Sequence, residues 1–203
     1  MIIEDALILG KETLKSLPSP QLEAELLLAY ALDVNRSYLI AFPERKIDEK
    51  AHMLFLELIE RRQNGEPFAY ITGEREFYGL SFKVNSETLI PRDDTEVIVD
   101  TALSLIPAKL EAPFSLVDLG TGSGTIALAI KSMRPDIEVT AVDYYETTLK
   151  VAEENAKSNQ LEIHFQQSNW FQSLPKSAFD MIVSNPPYID PIDQHLEGDG
   201  IKF

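Results

Sequence analysis

The sequence predicts an α/β chain in two parts, a small N-terminal helical bundle followed by a parallel, doubly wound sheet. Three observations carry that prediction. Apolar residues recur at helical spacing as far as Asn64. After Phe114, short apolar runs alternate with amphipathic stretches, which is the βαβ pattern of a parallel sheet. The first of those runs opens into the glycine-rich turn Asp118-Leu119-Gly120-Thr121-Gly122-Ser123-Gly124.

Taken in order, Leu7, Leu14 and Leu17 mark a helix from about Ile2 to Leu17. Pro18-Ser19-Pro20 breaks it, with Ser19 as N-cap and Pro20 at the first position of the next helix. That helix, Gln21 to Leu32, turns Leu22, Leu26, Leu27 and Tyr30 inward. Asn35 caps a short helix ending near Phe42. Asp48 caps a longer one that buries Met53, Leu54, Leu58 and Ile59 before Gly65 ends it. Residues 1–66 are thus expected to form a helical domain. Residues 67–90 are expected to form a hairpin-like connector, because Phe68–Thr72 and Leu80–Val84 are aromatic or β-branched and flanked by Gly73 and Gly79. From Thr95 to Ile106 the spacing of Val97, Ile98, Thr101, Ala102 and Leu105 is helical again. Strand Phe114–Leu119, helix Thr125–Met133, strand Glu138–Val142, helix Glu146–Ser158 and strand Ile163–Gln167 follow. The chain then passes Trp170-Phe171 into strand Phe179–Ser184. Residues 91–203 make the third segment, a ligand-binding α/β domain.

Composition narrows the class. The chain has 203 residues, 44% hydrophobic and 25% charged, enough for one large domain or two small ones. No run reaches the length of a membrane span, and Met1-Ile2-Ile3-Glu4-Asp5 lacks the basic start of a signal peptide. There is no cysteine, so there are no disulfides or thiolate metal ligands, and the expected address is the cytoplasm. His52, His164 and His195 are scattered without H-x-x-H spacing, so no metal site is expected. The formal charge is −15. Residues 1–87 hold 15 acidic and 10 basic side chains, and residues 88–203 hold 18 and 8. Such a surface repels phosphate backbones, which argues against direct nucleic-acid binding, and its plain purpose is solubility.

Three motifs carry chemistry. Gly120, Gly122 and Gly124, with Thr121 and Ser123 between them, let the backbone turn sharply and approach a ligand closely. A bare turn is the alternative at that point. Asp143 closes the next strand, 19 residues after Gly124, where a carboxylate suits the two hydroxyls of an adenosine ribose. The alternative there is an N-cap for the following helix. Asn185-Pro186-Pro187-Tyr188 ends the last strand. Proline donates nothing to a sheet ladder, so termination is one reading. The other is that the two prolines hold Asn185 and the Pro186 carbonyl still at a strand's carboxyl end, each to accept one N–H of a planar NH₂ group. Tyr188 is placed to pack against that flat group.

The glycine turn with Asp143 resembles the Rossmann-like class I methyltransferases, which bind S-adenosylmethionine, over about Leu89 to Ile189. A nicotinamide cofactor fits less well, because the spacing is G-x-G-x-G and no hydride-transfer partner is apparent. A further set of stretches narrows the resemblance: Arg61-Arg62, Gly65-Glu66-Pro67-Phe68-Ala69-Tyr70-Ile71-Thr72-Gly73, Phe77-Tyr78-Gly79 and Leu89-Ile90-Pro91-Arg92-Asp93-Asp94-Thr95-Glu96. With the helical N-terminal domain, these resemble the HemK/PrmC family of release-factor glutamine N5-methyltransferases along nearly the whole chain. The resemblance implies methylation of the glutamine amide in the Gly-Gly-Gln loop of class I peptide chain release factors by a monomer whose helical domain helps dock the substrate. It implies cofactor contacts at Gly120, Thr121, Gly122, Ser123, Gly124, Asp143, Asn169, Trp170 and Asn185. It implies a glutamine site at Asn185, Pro186, Pro187 and Tyr188, with Asn185 and Pro186 catalytic. Asp93 stands where the family commonly has proline, which is expected to loosen a loop. Asn169 stands where aspartate is usual, which is expected to weaken adenine binding. The family also runs on past Phe203 through further strands, so these residues are expected to be a fragment of such an enzyme, its C-terminal strands absent. Two other readings stay open: a nucleobase-amine methyltransferase, and a module that binds release factor without turnover. Glutamine methylation of a ribosomal protein is disfavoured by the Ile90-to-Glu96 stretch.

Overall fold

The polypeptide divides at Gly73. In the computed structural model, which describes residues 1–175 and 179–186, Met1–Thr72 forms one unit and a second begins at Gly73.

The first unit is built from helices α1 (Ile3–Thr13), α2 (Pro20–Leu32), α3 (Arg36–Ala41), α4 (Glu49–Gln63) and α5 (Phe68–Thr72). The Asn35 side chain accepts from the Tyr38 N–H at 2.9 Å, and Asp48 from the Ala51 N–H at 2.8 Å, so both expected caps form. Ser19 sits at the N-cap position of α2, but its side chain makes no capping bond. Helix α1 ends at Thr13, short of the expected Leu17, and a turn follows. The buried face of α4 is Ala51, Phe55, Leu58 and Ile59, leaving Met53 61% exposed. Helix α2 buries Ala24, Leu27 and Leu28, while Leu22 and Tyr30 face outward, contrary to expectation. Nearly every side of α2 is apolar, so its pattern does not choose a face. Gly10 explains how closely α1 packs: a Cβ there would lie 2.8 Å from the Phe55 ring and 2.9 Å from Ala24. At the end of α4, Arg62 grips Glu23 of α2 through two 3.0 Å bonds and donates to the Glu66 carbonyl, while Arg61 holds the Glu66 carboxylate. Those pairs account for the Arg61-Arg62 and Gly65-Glu66-Pro67 stretch.

The connector differs from its sequence reading. Phe68–Thr72 is a helical turn, not a strand, because Tyr70 and Ile71 N–H groups donate to the Pro67 carbonyl and Ile71 packs into the helical core. The hairpin lies just beyond, with β1 (Glu74–Phe77) antiparallel to β2 (Leu80–Lys83). Tyr78 and Gly79 both have positive φ, 52° and 77°, which is the two-residue type I′ turn that matches strand twist. Glu96 accepts from the Tyr78 N–H at 3.3 Å, and the Tyr78 hydroxyl donates to Asp100 at 2.8 Å. The hairpin tip is thereby tied to helix α6 (Glu96–Leu105). Arg75 reaches Asp93 at 2.6 Å, so the residue standing where the family commonly has proline carries an exposed ion pair. Helix α6 buries Val99, Ala102 and the adjoining Ile106, while Val97 and Leu105 are exposed.

The sheet comprises β3 (Ser115–Leu119), β4 (Glu138–Asp143), β5 (His164–Gln167) and β6 (Met181–Ser184), all parallel in the order β5-β4-β3-β6. Helices α7 (Thr125–Met133) and α8 (Glu146–Ser158) make the crossovers. One core joins Phe77 and Phe82 of the hairpin to Leu116, Ile126, Ile130 and Val139, and a smaller one gathers Val117, Leu119 and Val142. The chain steps from β3 to β4 to β5, then returns to the opposite side of β3 as β6. This is the Rossmann-like arrangement, and its topological switch lies between β3 and β6, where open α/β sheets bind ligands at the strands' carboxyl ends.

Candidate functional site

Strand register assembles the site. Leu119 pairs with Val142 on one side and Ser184 on the other. The residues that follow, Gly120, Asp143 and Asn185, therefore leave the sheet at one level on three adjacent strands, each about 5 Å from the next. The Ser184 hydroxyl donates to the Leu119 carbonyl at 2.7 Å, fixing the point from which Asn185 departs.

The glycine turn is held from beneath. Gly120 and Thr121 N–H groups donate to the Val142 carbonyl at 2.8 and 2.9 Å. The Thr121 hydroxyl donates to Asp118 at 2.6 Å, and the Gly122 N–H to Asp143 at 3.0 Å. All three glycines have positive φ. They differ in what surrounds them. A Cβ on Gly120 or Gly122 would meet nothing within 4 Å, whereas on Gly124 it would press Ala152 and Leu128 at 3.2 Å. Gly124 is glycine for packing and for the turn into α7, and Gly120 and Gly122 line open space, as a ligand cradle requires.

Asp143 is not the N-cap of α8, whose cap position is Tyr145. Its oxygens accept from the Gly122 and Tyr145 N–H groups, which aims the carboxylate while leaving lone pairs free. Behind it lies Asp118, fully buried. Burial pushes its carboxyl up to about 6, aided by the nearby Asp143 charge and opposed by the Thr121 hydroxyl and the Ala127 N–H.

Of the other expected site residues, Asn169 and Trp170 follow β5, flanking Asp143 on the side away from Asn185. Ser168 anchors that turn: its N–H donates to the Asp143 carbonyl at 3.0 Å and its hydroxyl accepts from the Ser173 N–H at 2.9 Å. Trp170 is 51% exposed, with φ of 52°. Asn185 and Pro186 are half-buried at the switch point. Pro187 and Tyr188 lie outside the described residues. Sequence reasoning passed over Asn155, buried in the middle of α8, whose carboxamide joins the glycine turn to the hairpin. Its one sequence signal was a carboxamide inside a helix, where asparagine is disfavoured unless it has a partner. An open groove of about 760 Å³ lies in the helical unit beside Tyr30, Asp33 and Lys50, remote in sequence from the glycine turn and Asn185.

The PrmC N-terminal domain family matches residues 5–73, and the methyltransferase small domain family matches residues 95–197. The release factor glutamine methyltransferase of Aliivibrio fischeri is 46% identical over 94% of this chain and 67% of its own length. The chain belongs to the release factor glutamine methyltransferase family. The Shewanella oneidensis relative is 46% identical over 91% of this chain and 64% of its own, and that of Escherichia coli is 43% identical over 94% and 68%. The chain thus spans about two thirds of the length of these relatives. Among solved structures, a SAM-dependent methyltransferase from Agrobacterium tumefaciens aligns at 18% identity over 56% of this chain and 39% of its own, with a TM-score of 0.48. Among the described residues no helix is long and apolar enough to cross a membrane, and no cluster of metal-ligating side chains occurs.

Proposed function

We propose that this protein methylates the side-chain amide of the glutamine in the Gly-Gly-Gln loop of class I release factors, using S-adenosylmethionine. The observation that carries the reading is the shared level of Gly120, Asp143 and Asn185 on adjacent strands, in a chain of this family. The open cradle over Gly120 and Gly122 and the aimed carboxylate of Asp143 fit an adenosyl donor. Backbone from Gly120 to Gly124 would approach its amino-acid part. Asp143 would accept from the ribose hydroxyls, and Asn169 and Trp170 would border the adenine. When bound, the donor supplies an electrophilic methyl carbon.

An amide nitrogen is a weak nucleophile, because its lone pair is delocalised. Asn185 Oδ1 and the Pro186 carbonyl each accept one N–H, turning the nitrogen's lone pair toward the methyl. With the donor bound, the nitrogen–carbon bond would form as the carbon–sulfur bond broke, and the N–H groups held by Asn185 and Pro186 would become more positive and their hydrogen bonds stronger. The nitrogen becomes acidic during transfer, so its surplus proton can pass to water and no strong base is required. Orientation of this kind supplies up to roughly 7–11 kcal/mol in the best intramolecular cases. Pro187 and Tyr188, which complete the expected glutamine site, lie outside the described residues. Residues 1–72, the helical unit, take the docking role, 73–90 the connecting one and the residues from 91 on the chemistry, in a cytoplasmic monomer.

The test supplies labelled S-adenosylmethionine with a release factor, its Gln-to-Ala loop variant and DNA. Label is expected in the wild-type factor alone. Label in DNA, or equal label in the loop variant, overturns the reading.

A further inference from the structure

One buried polar side chain outside the expected site joins two parts of the second unit. Asn155 is fully buried, and each of its hydrogen-bonding groups is used. Oδ1 accepts from the Lys83 N–H at 2.7 Å, and Nδ2 donates to the Lys83 carbonyl at 3.0 Å and to the Ser123 carbonyl at 2.9 Å. The main-chain partners fix the carboxamide's orientation, because only the oxygen can receive an N–H and only the nitrogen can serve two carbonyls. Toward Lys83 the side chain imitates a neighbouring strand, covering the outer edge of β2. Toward Ser123 it holds the last peptide of the glycine turn.

Its neighbours on α8 extend the same contact. Thr148, Ala152, Asn155 and Asn159 recur at intervals of four, three and four residues, so they share one helix face. Thr148 donates to the Glu87 carbonyl at 3.3 Å, Ala152 abuts Gly124, and Asn159 donates to the Ser81 carbonyl at 2.8 Å. That face therefore lies along the hairpin edge and the glycine turn together, and Asn155 is the member that bonds to both. Neither Asp nor Leu can replace it without loss. Asp would set a carboxylate against two carbonyls, and Leu would take the side-chain partner from the buried Ser123 carbonyl and from the part-buried Lys83 N–H and carbonyl.

We propose that Asn155 is a positioning residue for methyl-donor binding: by clamping the Ser123 carbonyl to the edge of β2, it holds the Gly120–Gly124 turn in its donor-ready shape. This rests on the function proposed above, since it assigns the turn to the donor.

The test compares Asn155→Leu with Asn159→Leu, which removes the bonds to the Ser81 and Asn155 carbonyls but none to Ser123 or Lys83, after circular dichroism has checked that both are folded. Affinity for S-adenosylhomocysteine is read by titration calorimetry, and loop order by amide hydrogen exchange at Gly120, Thr121 and Gly124. Asn155→Leu should weaken affinity by about tenfold or more and speed exchange by a similar factor, with Asn159→Leu within about threefold of wild type on both. A third variant, Asn155→Asp, adds a signature that general destabilisation lacks. Protonation restores one donor, so its affinity relative to wild type should recover as pH falls. Should Asn155→Leu fail to fold, that recovery decides the matter. Equal affinity and equal exchange in the two folded leucine variants, or no recovery in Asn155→Asp, overturns the proposal. If the wild-type chain binds no S-adenosylhomocysteine, the donor reading falls, while the exchange comparison still decides whether Asn155 orders the turn.

Discussion

Replacing Asn185 by alanine removes the acceptor for one N–H of the target amide while leaving Gly120, Gly122 and Asp143 untouched. Transfer should slow by a factor on the order of 10²–10³, the usual cost of losing one such transition-state hydrogen bond, with donor affinity much less affected than the rate. A steady-state rate near wild type would remove Asn185 from the mechanism. Asp118 makes a different prediction, in the pH dependence of stability. Its carboxyl rises from an ordinary 3.8 to about 6 in the fold, so the folded state holds the proton more tightly than the unfolded chain does. Below about pH 4 both states are protonated and there is no penalty. As pH climbs toward 6 the unfolded chain ionises first, and the fold loses on the order of 3 kcal/mol, fully in place above pH 6. Asp118→Asn keeps an acceptor for Thr121 and removes the ionisation. Its melting temperature should therefore gain on wild type as pH rises from 4 to 6.5 and run parallel outside that window. A pH-independent difference would contradict a buried, ionising carboxyl.

Elements were legible where sequence pattern and tertiary demand agreed. The alternation after Phe114 yields the parallel sheet, and Asn35 and Asp48 cap as their positions imply. Legibility failed where local pattern was neutral and packing decided. Phe68–Thr72 has strand-like composition, yet Pro67 starts a helical turn and the core receives Ile71 from it. In α6, Val97 and Leu105 look like core residues, but the face that meets the sheet's core is Val99 and Ala102. Within the glycine turn, sequence alone gives three equivalent glycines, and the fold separates them. Gly124→Ala should destabilise by about 2 kcal/mol, since it adds left-handed strain to a Cβ pressed at 3.2 Å by Ala152 and Leu128. Gly122→Ala enters open space, so it should cost about 1 kcal/mol of stability from its left-handed φ and spend its main effect on donor affinity. Thermal melts paired with donor titrations distinguish the two. A larger affinity loss in Gly124→Ala than in Gly122→Ala would reverse the assignment.

Across the molecule, the sequence gives the division of labour more readily than the ties that hold each part. Each unit has its own apolar core, one around Phe55, Leu27 and Leu28, the other around Phe82, Leu116 and Ile130. All of the proposed donor contacts belong to the second unit, and docking of the protein substrate is assigned to the first. A lesion in the first core should therefore separate two functions that a single-core enzyme would lose together. Phe55 is the natural target, being fully buried and packed against Gly10 at the crossing of α1 and α4. Phe55→Ala should cost the helical unit about 3–5 kcal/mol. Calorimetry should show that unit's transition moving down while the transition raised by S-adenosylhomocysteine stays in place. Donor affinity should hold within about twofold, and the KM for release factor should rise, because docking depends on an ordered helical surface. If donor affinity fell in step with the helical transition, the two cores would be energetically one, and docking could not be assigned to the first unit alone.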